Sequence, residues 1–338
     1  MHMGDALVSP AVGTVMWAAT AATTVYCARR LRDEDEPAKV PLMGVLGAFI
    51  FAAQMINFTI PGTGSSGHLG GGLILAVLLG PHAAFLTIAS VLTVQALFFA
   101  DGGLLALGAN IINLGVFPAF VAYPLFRWIA GSSFSSRRVV AGAVISAEVG
   151  LLLGAAGVVL ETVFSGVSSL PLGTFMAVML PIHAVIAVVE GLVTAGVLLF
   201  VKQAEPGLLP RIAEHAPLAG LRLNRVLVGL LAATVITGGV LSLAASANPD
   251  GLEWAIARVT GSEAIEGADT MTHDAAASLQ EWTALLPDYG VPEPTRATEA
   301  TGTSLSGIVG AAITLGCAGL IGLLLARRRR RAGASAQA

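Results

Sequence analysis

The chain opens Met1-His2, and that pair is a chelator before any fold is considered. The amine of Met1 and the main-chain amide nitrogen of His2 close a five-membered ring on a metal ion. The His2 imidazole closes a six-membered ring from the same amide. Three nitrogens then share a plane, and one more imidazole completes a square, which suits Ni(II) or Cu(II). The amine, with an ordinary pKa of about 7.7–8.0, and the amide must both deprotonate, so binding should release protons. Histidine is too large a second residue for the usual removal of the initiator, which fits a retained Met1. The bland alternative is that Met-His is a tag remnant.

The candidate fourth nitrogen is His68, inside "NFTIPGTGSSGHLGGG". The stretch 61–72 looks superficially like a phosphate loop but lacks the Gly-Lys-Ser/Thr ending. Its glycines let main chain enter the membrane level and approach another segment closely. The competing reading is a solvated loop histidine. Asn57 and Gln95 belong to the same end of the molecule and are expected to steady the loop behind the ligands. His82 falls in the Gly80-Pro81 break, on the other side. His183 and Glu190 are seven residues apart on one helix face; the expectation is an intramembrane polar pair, although such groups are functional candidates by default. Asn110, Asn113, Glu148 and Glu161 should hydrogen-bond between helices. Cys27 and Cys317 read as small packing residues.

These groups need a scaffold, and the composition says which kind. Of 338 residues, 55% are hydrophobic and only 12% charged, against about 25% charged in a soluble domain. The expected class is an all-α polytopic membrane protein. The 40 glycines fit close helix packing in lipid. Nucleic acid is excluded as a partner, because the only basic run ends an apolar segment; the bilayer is the expected surrounding. No cleavable signal is expected, since arginines follow the first apolar run and none precede it. Apolar runs predict spans at 10–28, 40–57, 69–80, 83–99, 104–126, 139–162, 174–201, 224–246 and 305–326. Proline cannot continue the helix ladder, so Gly80-Pro81 divides the third run from the fourth, giving nine helices. With that count, sixteen of the 18 Lys and Arg fall on one side, leaving only Arg258 and Arg296 on the other. The positive-inside rule makes the basic side cytoplasmic. The N-terminus and the loop 58–68 then lie outside, so His2 and His68 share a face, and the C-terminus is cytoplasmic.

Residues 1–201 form a first unit of seven helices. A polar, proline-bearing linker, 202–221, leads to a second unit, 222–338, of two helices around an outside loop, 247–304. In that loop Asn248-Pro249-Asp250 reads as turn and cap, with Leu252, Ala255 and Ile256 on one helix face.

"MHMGDALVSPAVG", "AAQMINFTIPGTGSSGHLGGG", "VQALFFADGGLLALGANIINLG" and "HAVIAVVEGLVTA" resemble the M subunit of cobalt/nickel energy-coupling factor (ECF) transporters, the CbiM/NikM family. The match runs across essentially all of 1–201. "PDGLEWAIARVTG" with "PDYGVP" resembles the N-type partner subunit with its PDGLE signature, fused here after the linker. The resemblance implies a seven-helix substrate-capture component in the cell membrane with an accessory two-helix hairpin. It carries the metal ligands over to Met1, His2 and His68. It also implies a transmembrane T component and cytoplasmic ATPase subunits as partners. The chain has no Walker motif, so ATP hydrolysis is left to those subunits. No prosthetic group is expected; the metal is cargo. Met3 and Gly4 depart from many relatives.

Two other readings compete. An ion-coupled secondary carrier for transition metals lacks the expected inverted repeat. A membrane-embedded metalloenzyme built on His183 and Glu190 lacks HExxH or a nucleophile constellation. Planar nitrogen geometry favours nickel over cobalt, but relatives serve both.

Overall fold

The computed structural model describes residues 2–34, 36–262, 270–291 and 296–335. Apolar surroundings leave the backbone no partners but its own, so long apolar runs fold as helices. The first unit contains α1 (Pro10–Glu34), α2 (Lys39–Gln54), α3 (Gly72–Leu79), α4 (Pro81–Phe99), α5 (Leu107–Ala130), α6 (Ser136–Ser165) and α7 (Leu172–Ala204). The linker carries a short helix, α8 (Leu208–Ala213). The second unit contains α9 (Asn224–Gly239), α10 (Gly251–Thr260), α11 (Met271–Thr283) and α12 (Arg296–Ser335). Midway, α5 widens into a π-helical stretch, Ile112–Ala122, around Pro118, which has no N–H to give the α ladder.

Among the described residues, six helices are long and apolar enough to cross a membrane: α1, α4, α5, α6, α7 and the Thr301–Ala326 part of α12. The shorter α2 and α9 have 16 residues each, about 24 Å at 1.5 Å per residue. The main departure from the sequence reading is at 69–80. Only Gly72–Leu79 is helical there, 8 residues long and buried throughout. The chain reaches it as non-helical main chain, with Gly71 at φ +76°. That conformation favours glycine, and Glu190 takes the place of the missing helical acceptors, as described below. Elsewhere the ends shift: α1 runs to Glu34, and α9 stops at Gly239, followed by a 3-10 turn at Leu241–Ala244.

A small antiparallel hairpin, β1 (Phe58–Ile60) and β2 (Ser65–Gly67), pairs Phe58 with Gly67 and Ile60 with Ser65. It leads directly into His68.

Every residue of α2 from Leu42 to Gln54 is buried, because α4 and, from the second unit, α9 and α12 all pack against it. The α9–α12 crossing is a main-chain contact: a Cβ on Gly307 would collide with the carbonyl of Gly238. Small residues allow that approach in lipid. The large exposed apolar side chains of α1, α7, α9 and α12, such as Val15, Leu192, Val228 and Leu320, form the outward faces of the bundle.

At the end opposite the N-terminus, Glu34 pairs with Lys39 and lies 3.2 Å from His82 Nδ1. The linker is tied to this end, since Leu218 N donates to Glu36 Oε2 at 2.7 Å and α8 packs on α3.

Candidate metal centre

The arm ahead of α1 is held by an asparagine clamp. Met3 is fully buried. Its N–H donates to Asn110 Oδ1 at 2.8 Å, and its carbonyl accepts from Asn110 Nδ2 at 3.1 Å and from Gly103 N at 2.9 Å. A single side-chain amide thus pairs with both groups of one residue, as a neighbouring strand would. Two residues on, Asp5 Oδ1 accepts from Ala106 N at 2.9 Å. The arm therefore enters the molecule in one register, and His2 is fixed at its tip.

His68 is fixed from three directions. Behind it, the carbonyl of Gly70 accepts from Gln54 Nε2 at 2.8 Å, and Gln54 Oε1 accepts from Gln95 Nε2 at 2.9 Å. From below, the Glu190 carboxylate accepts from Gly70 N at 2.9 Å and Gly71 N at 3.1 Å. From the second unit, the carbonyl of Pro249 accepts from Ser66 N and that of Asn248 from Ser66 Oγ, both at 2.8 Å. Trp254 Nε1 adds a bond to Thr63 O at 2.9 Å. Asp250 caps α10 in a reciprocal capping box with Glu253, and Leu252, Ala255 and Ile256 are buried, as the sequence pattern predicts.

Arm and loop bring the two imidazoles together, with ring centroids 5.0 Å apart and planes inclined at 46°. His68 Nδ1 lies 3.1 Å from Leu69 O. A carbonyl only accepts, so Nδ1 carries the proton and the lone pair is on Nε2. Asp250 Oδ2 is 4.0 Å from that Nε2. His2 Nδ1 lies 2.7 Å from Asp101 Oδ1, while its Nε2 is buried with no hydrogen-bond partner among the described residues. The second oxygen of Asp101 accepts from Tyr289 Oη at 2.5 Å, and Tyr289 stacks on Phe99 with centroids 5.1 Å apart.

Burial pushes the His68 imidazole down to about 3, so it stays neutral and able to donate its lone pair. Burial would raise the Asp101 carboxyl, but the His2 imidazole and the Tyr289 hydroxyl outweigh it and hold the group below the usual carboxylate range. Tyr289 is raised well above an ordinary phenol, by burial first and then by Asp101.

The site opens on a cleft of about 1020 Å³ whose lining includes Asp5, Asp101, Asp250, Glu253, Asp274 and Asp288 and, among the described residues, no lysine or arginine. Such a cleft concentrates cations at its floor. Among the described residues, no three side chains of His, Cys, Asp or Glu meet as a ready-made metal cluster. Two imidazoles face each other instead, with the Asp101 and Asp250 carboxylates beside them.

A family model for the "cobalt uptake substrate-specific transmembrane region" matches residues 2–208, and one for the PDGLE domain matches 224–327. The chain belongs to the CbiM family. It is similar to a fused nickel transport protein of Rhodobacter capsulatus, 34% identical over 98% of this chain and 99% of that one. It is also similar to a cobalt transport protein of Sorangium cellulosum, 30% identical over 63% of this chain and 96% of that one. A crystal structure of a truncated transition metal transporter superposes with a TM-score of 0.53 at 29% identity, covering 60% of this chain and 99% of that one.

In this CbiM chain the sequence-predicted groups are placed as follows. His2 and His68 meet, and Met1 lies outside the described residues. Gln95 supports the His68 loop, but through Gln54. Asn57 acts through its carbonyl, which accepts from Ser246 N of the second unit at 2.7 Å. The expected His183–Glu190 pair does not form. Helical geometry makes Met179 O available to His183 Nδ1 at 2.8 Å, and Glu190 is taken by the Gly70 and Gly71 amides. Asn113 and Glu161 do bond between helices, at 2.7 Å. The sequence reading missed Asp101 and Tyr289, took Asp250 only as a helix cap and gave Asn110 a generic role. Asp101 sits in the short turn between α4 and α5, and its position just after a span was the available signal.

Proposed function

We propose that the chain is the substrate-capture subunit of an ATP-driven ECF importer, taking Ni(II) or Co(II) from the outer face of the cell membrane. The ligands are the Met1 amine, the His2 amide and imidazole, and His68. The observation carrying this reading is the approach of two imidazoles from distant parts of the chain at the floor of a carboxylate-lined cleft. The transport names of the relatives and the cobalt-uptake family support it. Four nitrogens in a plane favour nickel.

In this reading residues 1–201 are the capture unit, 202–221 the cytoplasmic linker and 222–338 the N-type unit. The arginine-rich end faces the cytoplasm, where the T component and the ATPase subunits act. The chain itself catalyses no reaction. Metal uptake should therefore stop when the ATPase subunits are inactivated and persist when ion gradients are collapsed. Uptake that followed the gradient would make the chain a secondary carrier instead. On the purified protein, acetylating the Met1 amine should abolish tight binding, because the acylated nitrogen has lost its basic lone pair. Full-affinity binding by the acetylated chain would remove Met1 from the site.

A further inference from the structure

The chelate and the observed His2 ring make opposite demands on one atom. From the His2 amide nitrogen, a six-membered ring runs through Cα, Cβ and Cγ to Nδ1, and only Nδ1 can close it. Nε2 is on the far edge of the imidazole. In the structure Nδ1 is 2.7 Å from Asp101 Oδ1, and Nε2 is the nitrogen with no partner among the described residues. Turning the ring over would set a C–H against the carboxylate, so the hydrogen bond selects this orientation. The Asp101 carboxylate is itself held, its other oxygen bonded to Tyr289 at 2.5 Å. The arm cannot shift to accommodate both demands, since Met3 is clamped by Asn110 and Gly103.

We propose that Asp101 is a positioning residue that parks His2 in a metal-free orientation, and that loading transfers Nδ1 from Asp101 to the metal. This rests on the capture reading above. In the empty protein the proton sits on Nδ1 and is donated to Asp101, with the lone pair on Nε2. In the loaded protein the imidazole turns about Cβ–Cγ and the Nδ1 lone pair bonds the metal. The Nδ1 proton leaves to water in the open cleft and Nε2 takes one up, so His2 contributes no net proton. The protons released on binding are those of the Met1 amine and the His2 amide. Asp101 stays where it is, retained by Tyr289. Tyr289 belongs to the second unit, so that unit sets the position of the carboxylate from which the metal must win His2.

The test is nitrogen NMR of the full-length protein with labelled histidine, recorded empty and with one equivalent of Ni(II), whose square-planar complexes are diamagnetic. The empty protein should show His2 as the Nδ1–H tautomer. Loading should convert it to Nε2–H with the Nδ1 signal moved by the metal, while His68 shifts at Nε2. In empty Asp101→Ala, His2 should revert to the Nε2–H form that free imidazole favours, with His68 unchanged as the control for folding. A role of Asp101 in folding alone would not move the tautomer. The proposal falls if His2 keeps the Nδ1–H form when loaded, or keeps it in Asp101→Ala. Ni(II) that shifts neither His2 nor His68 would overturn the capture reading as well, which separates the two failures.

Discussion

Two ends of the bundle set a histidine beside a carboxylate at a break between helices, and only one looks like a place for a metal. At the arginine-rich end His82 Nδ1 faces Glu34, but Lys39 pairs with the same carboxylate and the rings of Tyr26 and Phe120 lie 5.5 and 6.0 Å from the imidazole. The charges there cancel within the cluster. At the other end His2 faces Asp101, a second imidazole stands 5.0 Å away, and His2 Nε2 has no partner among the described residues. The residue types are alike; the difference is the second imidazole that stands beside the first, in place of a lysine that claims the carboxylate.

The comparison is broken most directly by exchanging the histidines for alanine. His2→Ala and His68→Ala should weaken metal binding by more than roughly a hundredfold, the upper end of what losing even an outer support costs a metal site. His82→Ala should leave the metal content of the purified protein unchanged. Metal lost from His82→Ala would show that a pair of imidazoles is the wrong criterion.

A smaller effect is expected when the loop loses its acceptor. Glu190→Ala leaves two buried amide donors unpaired, and hydrogen bonds to charged groups contribute about 1.5–3 kcal/mol each. Metal affinity should drop with melting temperature, both recovering in part in Glu190→Gln, which keeps one acceptor. An unchanged affinity would mean that His68 is held without Glu190.

Cutting the chain after residue 203 removes Tyr289 and the Pro249 and Asn248 carbonyls that hold Ser66. The truncated protein should still bind metal at equilibrium through the first unit, while uptake, measured with the ATPase partners present, falls. Equal uptake by both chains would reduce the second unit to a stabilising partner.

The last effect concerns acid. His68 titrates near 3 in the folded protein and near 6.5 when unfolded. The unfolded chain therefore takes up the proton first as pH falls. Stability is fully present above about 6.5 and is lost progressively toward 3. Asp101, depressed by its partners, adds to the loss below the ordinary carboxylate range. Melting of metal-free protein between pH 7 and 4 should show a shallower decline in His68→Gln than in the parent. Parallel curves would mean His68 is not buried neutral.

Much of this was legible in the sequence. Length and hydropathy placed the long helices, because lipid forces helix wherever the run is apolar. That His68 lies at the same end as His2 was legible in the arginines. Hidden were the contacts made across distance in the chain. Nothing near residue 190 announces that its carboxylate will cap glycines at 70 and 71, and periodicity alone put it with His183. Asp101 and Tyr289 are 188 positions apart, and their meeting depends on how the second unit docks. The eight-residue α3 was overcalled for a related reason: Gly70 and Gly71 sit in an apolar run, and their departure from helix is decided by Glu190.

That carboxylate also fixes an order of events during synthesis. Gly70 and Glu190 are 120 residues apart, so at 5–20 residues per second the loop is made roughly 6 to 24 s before its acceptor exists. Through that interval the Gly70 and Gly71 amides have only water to bond, and the loop has to remain at the aqueous surface. It can sink to its final depth only once α7 has been inserted. His68 is thus among the last parts of the first unit to reach its place, after the seventh helix arrives.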